Sequence, residues 1–269
     1  MTTHAAPPRR WAPTTVYVLV AFLAGGVLVA LQAVTGPDPD LLELVQFAPA
    51  IAVAAVLLVW RGRWRPPLAV SLWRPDPAIL AAASGSVVII LALPAAVLVS
   101  LGAGPDFSAV RAGAAPLGLL VLAQCVGAYG EELGWRGFLQ PYLRTRHSML
   151  ITGVLVGTVW GVWHVQVFAA GAAYAAAFLS ATIAMSVLLA VLLDNGRQGS
   201  LLIATVFHAA VNLGLLAFGD AGGREPMLWS SMAVAAAGCA AATAALRSSR
   251  NPAGSAERGR QAAPRADAP

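Results

Sequence analysis

Eight stretches of predominantly apolar residues follow one another along the chain, near 14–35, 41–60, 78–101, 116–143, 148–170, 172–193, 199–218 and 227–246. A helix needs about 20 such residues, at 1.5 Å each, to cross a hydrocarbon core about 30 Å thick. In that solvent the backbone must satisfy its own N–H and C=O groups, so continuous apolar runs of this length become helices. Composition closes the alternatives. The chain is 58% hydrophobic and 11% charged, whereas a soluble domain carries about 25% charged residues. A soluble enzyme, a disordered chain and a fibrous chain are excluded. The expected fold is all-α, a polytopic transmembrane bundle of about eight spans.

The positive charge is all arginine: 17 Arg and no Lys. Nothing resembles a nucleic-acid motif, so no nucleic-acid partner is expected. The arginines instead orient the bundle. With the N-terminus inside, 14 fall on the inner side: Arg9, Arg10, Arg61, Arg63, Arg65, Arg74, Arg144, Arg146, Arg197 and the five from Arg247 to Arg265. The outer loops hold Arg111 and Arg224, with Asp38, Asp40, Asp106, Asp220 and Glu225. That asymmetry predicts both termini in the cytoplasm and an even number of spans, in a multi-pass protein of the inner (plasma) membrane.

The expected organisation is a cytoplasmic segment 1–13, about three helices over 14–115, a helical core over 116–218, a last helix within 219–247 and a disordered cytoplasmic tail 248–269. The first span is too long for a signal-peptide core and is read as a retained helix. No internal repeat supports an inverted-repeat transporter. Cys125 and Cys239 both lie in apolar runs, which favours core packing over a disulfide or a thiolate zinc site.

Ionisable residues inside a span cost about 2.5–3.5 kcal/mol each on insertion scales, so they are functional candidates by default. The first three spans have almost none well inside; Glu43 is at a span end. The fourth carries Glu131, Glu132 and Arg136, the fifth His164, and the seventh His208 and Asn212. Glu132 and Arg136 are spaced i,i+4 and can pair. Glu131 is left without an in-helix partner, on the same face as Gln124. Gly153, Gly157 and Gly161 form a small-residue stripe that admits a close helix neighbour, with His164 on the same side. His208 and Asn212, with Thr205 and Leu201, share one face that should point inward, because a lipid-facing amide would stay unsatisfied.

Counted from the inner ends, Glu131 lies about 20 Å deep, His164 about 24 Å, His208 about 14 Å and Asn212 about 20 Å, at 1.5 Å per residue. The spread of about 10 Å is within what tilt and a kink near Pro141 absorb. One carboxylate, two imidazoles and an amide can therefore meet near mid-membrane. Such a group can activate water for attack on a carbonyl and stabilise the oxyanion. The same groups can hold a divalent metal, zinc being the natural choice, with His164, His208 and Glu131 as ligands. No HExxH is present, which excludes a zincin helix.

The order Glu131-Glu132-x-x-x-Arg136, then Trp160-x-x-x-His164, then His208-x-x-x-Asn212, each on its own span, resembles the CPBP family. These are the CAAX prenyl protease and bacteriocin-processing intramembrane proteases, also called Abi. The resemblance covers roughly 116–218. It departs at Trp160, where the family usually has Phe. The resemblance implies an intramembrane endopeptidase acting on a membrane-embedded or lipid-anchored protein or peptide. In that reading Glu131 and His164 activate water, His208 and Asn212 form the oxyanion pocket, and Glu132, Arg136 and Trp160 support them. Whether a metal takes part stays open. The alternatives are a non-catalytic membrane scaffold or bacteriocin self-immunity protein, and a proton- or metal-coupled transporter.

Overall fold

The computed structural model describes residues 11–35, 41–105, 116–194, 199–218 and 223–250. The expectations for Arg9, Arg10, Asp38, Asp40, Asp106, Arg111, Arg197, Asp220 and the tail beyond Arg250 fall outside those residues. The described chain is helical, with no strand among its residues. Helix α1 spans Ala12–Thr35, α2 Ala48–Val59, α3 Pro77–Ser100 and α4 Leu117–Gly134. A π-helical turn, Trp135–Leu139, joins α4 to the short α5, Gln140–Arg144. Then come α6 (Met149–Trp163), α7 (Ala172–Leu193), α8 (Ser200–Leu215) and α9 (Glu225–Arg250). Four of them, α1, α3, α7 and α9, are long and apolar enough to cross a membrane by themselves; α2 with its leading turn, α6 and α8 are shorter apolar helices. The result is a multi-pass helical membrane bundle.

Three spans depart from their expected limits, each for a local reason. The run 41–60 enters through a 3-10 turn, Leu44–Phe47, and becomes α-helical only at Ala48. Pro49 has no N–H and suits only the first turn of a helix. The run 148–170 stops being a helix at Trp163; His164 turns out of it at φ −78°, ψ 64°, and a 3-10 turn follows over Val165–Phe168. Apolar letters continue through that break, so composition does not mark it. At the far end α9 continues to Arg250, past the expected start of the tail at Ser248.

The bend expected near Pro141 is a π turn one helical turn earlier. A proline ring collides with the carbonyl four residues before it, which here is Gly137. Widening the helix over Trp135–Leu139 removes that collision. The freed Gly137 carbonyl then accepts a hydrogen bond from Ala69 N–H at 2.9 Å.

Two stripes of small residues set the packing. A side chain at Gly153, Gly157 or Gly161 would strike Val187, Ile183 or Thr182 of α7, so α6 lies directly on α7 as its spacing predicts. A second stripe on α4 was not anticipated. A side chain at Gly127 would strike Gln46, one at Gly130 the Gln46 carbonyl, and one at Gly134 both Pro49 and Tyr17. Gly157→Val would press against the Ile183 Cα at 2.6 Å, and main chain cannot swing aside. Overpacking of this kind costs about 1–3 kcal/mol. The variant should melt earlier than wild type in detergent, and an unchanged melting curve would refute the close contact.

Arg144 and Arg247, two of the arginines assigned to the inner side, lie at one end of the bundle. There Trp11 stacks on His147 at 5.7 Å, and Trp64 meets Tyr142 edge-on at 5.6 Å. Arg144 holds Asp194 at 2.6 Å and the His147 carbonyl at 2.7 Å. Arg247 of α9 donates to the Val191 and Leu192 carbonyls at the end of α7. The two ends of the described chain thus lie at the same end of the bundle.

Candidate functional site

Glu131, Glu132 and Arg136 stand midway along the continuous helical run from Leu117 to Arg144, and all three are buried. Arg136 donates to Glu132 Oε1 at 2.7 Å, the i,i+4 pair read from the sequence. The same oxygen accepts from His208 Nδ1 at 2.8 Å, across 76 residues of chain. A carboxylate oxygen can only accept, so Nδ1 carries the proton and Nε2 is the other ring nitrogen presented to the site.

Glu131 does have an in-helix partner, contrary to expectation. Trp135 Nε1 donates to its Oε2 at 3.3 Å, and Trp160 Nε1 donates to the same oxygen at 3.0 Å. The i,i+4 rule that gave Glu132–Arg136 gives Glu131–Trp135 too, once an indole is counted as a donor. Two donors on Oε2 fix the carboxylate and leave Oε1 without a protein donor among the described residues.

Trp160 is the hub. Its ring lies 5.3 Å from His208 and 6.2 Å from His164, and the Arg136 guanidinium sits over it at 4.8 Å. A Phe at this position keeps the ring contacts and loses the N–H to Glu131. His164, at the end of α6, donates from Nδ1 to the Trp160 carbonyl at 2.9 Å, a bond that also takes up an end-of-helix carbonyl. Its ring packs between Trp163 at 5.1 Å and Phe178 of α7 at 5.0 Å. Asn212 lies one turn beyond His208 on α8, half-buried, with no partner for its amide among the described residues.

The first helix also reaches the site. Tyr17 is fully buried, edge-on to Trp135 at 5.7 Å and 5.2 Å from Phe138. One turn later the Ala21 carbonyl accepts from Trp163 Nε1 at 3.2 Å. The only hint in the sequence is Tyr17, the one tyrosine of that span. Trp135, one of the two indoles on Glu131, and Trp163, which flanks His164, are therefore contacted from α1, which carries none of the motif residues.

Among the described residues no three His, Cys, Asp or Glu side chains converge as a ligand group. Oε2 of Glu131 is held by two indoles, and Oε1 of Glu132 by Arg136 and His208.

Comparison with known proteins bears on this same region. Residues 113–214 match the family model of the Rce1-like type II CAAX prenyl endopeptidases. Over 106 residues the chain is 29% identical to CAAX prenyl protease 2 of Methanococcus maripaludis, covering 35% of this chain and 37% of that protein. Over 215 residues it is 23% identical to lysostaphin resistance protein A of Staphylococcus aureus, covering 77% of this chain and 50% of that one. The chain thus spans between 37% and 50% of the length of these curated relatives. The matched segment is the one that carries Glu131, Glu132, Arg136, Trp160, His164, His208 and Asn212, so the likeness to the Rce1-like type II CAAX prenyl endopeptidases falls on the residues of the candidate site.

Proposed function

We propose that this protein is an intramembrane endopeptidase that hydrolyses a peptide bond of a membrane-embedded or lipid-anchored protein or peptide in the plasma membrane. The observation that carries the proposal is the pair of carboxylate–donor units on one helix. Glu131 is oriented by two indoles with one oxygen open, and Glu132 is tied to an imidazole and a guanidinium.

In this reading a water between Glu131 and His164 is the nucleophile. Glu131 Oε1 or His164 Nε2 takes its proton as the oxygen attacks the carbonyl, then gives it to the amide nitrogen as the C–N bond breaks and the amine leaves. His208, protonated on both nitrogens against Glu132, presents Nε2–H to the developing oxyanion, with the Asn212 amide as second donor. The charges then balance: Glu131 and Glu132 against Arg136 and His208. Trp160 touches Glu131, Arg136, His164 and His208 and keeps these four in register. No step runs through a metal, and activity should survive exhaustive chelation.

A comparison of peptide termini in membranes carrying wild type or His164→Ala tests the proposal. Termini present only with wild type, at equal protein levels, are the expected result; identical profiles would refute it. One observation favours a second reading. The relative that covers most of this chain is named for resistance to lysostaphin. A non-catalytic protective role predicts a phenotype that His164→Ala leaves intact.

A further inference from the structure

The segment between α2 and α3, residues 60–76, has a surface that the catalytic reading does not use. It carries Arg61, Arg63, Arg65 and Arg74, all exposed, and none paired with an acid among the described residues. Its one acid, Asp76, caps α3 by accepting from Ala78 N–H at 2.9 Å and Ile79 N–H at 3.4 Å. Trp73 is 81% exposed, and Leu68 and Val70 are exposed beside it.

The segment is nevertheless held in place. Ala69 N–H donates to Gly137 of the π turn at 2.9 Å. Leu201 N–H donates to the Ser71 carbonyl at 3.2 Å, and Gly199 N–H donates to Ser71 Oγ at 3.1 Å. Gly199 adopts φ +78° against Pro75, where a side chain would strike the proline. Trp60 and Trp64 root the near end at 6.3 Å from each other, and Trp64 reaches Tyr142.

At the tip, Arg74 has φ +53°, the one positive φ at a non-glycine among the described residues. Strain of this kind persists where surrounding structure imposes it, and it concentrates at binding and functional sites. Here it follows directly on the exposed Trp73.

We propose that residues 60–76 form a docking surface for the headgroups of anionic phospholipids. Guanidinium groups bind phosphate in two-point geometry, indoles settle at the headgroup level, and Leu68 with Val70 meets the start of the acyl region. Clustered arginines beside a membrane helix attract an anionic leaflet. The surface is fastened to the π turn and to the start of α8, the two elements next to the candidate site. The proposal is independent of proteolysis.

The test exposes the purified full-length protein to equimolar phosphatidylcholine and phosphatidylglycerol in mixed micelles and counts retained lipid by native mass spectrometry. Wild type should enrich phosphatidylglycerol. The combined Arg61→Gln, Arg63→Gln, Arg65→Gln, Arg74→Gln variant should lose that enrichment by about tenfold or more, since each arginine near an anionic surface contributes roughly a fivefold preference. Removing four arginines can also disturb insertion, so Arg74→Gly is the second variant. It keeps the other three, relaxes the strained backbone, and should lower enrichment about fivefold. Equal enrichment in wild type and Arg74→Gly would overturn the proposal. So would displacement of the lipid by inorganic phosphate at equal concentration, which would make the surface a general anion site.

Discussion

Glu131→Gln should abolish cleavage of a membrane peptide, by about 100-fold to 10,000-fold if Glu131 is the general base, while the protein still inserts and melts like wild type. The side chain is buried against Trp135 and Trp160, and the amide oxygen of Gln, placed where Oε2 sits, can still accept from both indoles, more weakly than a carboxylate does. The cost to stability is therefore of the order of one hydrogen bond, about 1 kcal/mol. What Gln cannot do is take a proton. Full activity in Glu131→Gln would remove Glu131 from the chemistry. Loss of folded protein in the same variant would make its role structural instead.

Arg136→Met should be the most damaging single change to stability in the site. Glu132 is fully buried, and Arg136 is its only full positive charge within the helix. Taking away one partner of a buried ion pair leaves an uncompensated charge and costs about 3–5 kcal/mol. His208 still holds Glu132 Oε1 but has to carry the whole compensation. The guanidinium contact over Trp160 is lost as well. The combination Glu132→Gln with Arg136→Met should recover much of the loss, because the stranded charge is gone. A melting temperature for Arg136→Met equal to that of wild type would show that the pair does not carry the stability assigned to it. No recovery in the double variant would place the cost in the packing against Trp160 instead.

Much of this protein is legible one residue at a time. The cost of exposing backbone to lipid makes the apolar runs helices, and each of the eight has a helical counterpart in the structure. The cost of burying charge singles out Glu131, Glu132 and Arg136. Helical spacing gives the Glu132–Arg136 pair and the face that α6 turns to α7. These inferences need only neighbours within one helix, and such neighbours are fixed by the chain itself.

The rest is decided between helices. Nothing in the spacing of His208 assigns it to Glu132 rather than to Glu131, because the two acids point about 100° apart and the rotation of α4 against α8 chooses between them. That rotation depends on Gly127, Gly130 and Gly134 admitting Gln46, Pro49 and Tyr17. The end of α6 at His164 is likewise invisible in an unbroken apolar run. The indole hydrogens on Glu131 also become apparent only when the helices are packed. The sequence by itself determined a membrane bundle and the residues too costly to bury without purpose. Only the tertiary structure decided who partners whom, because a buried polar group takes its partner from whichever helix packing brings within about 3 Å.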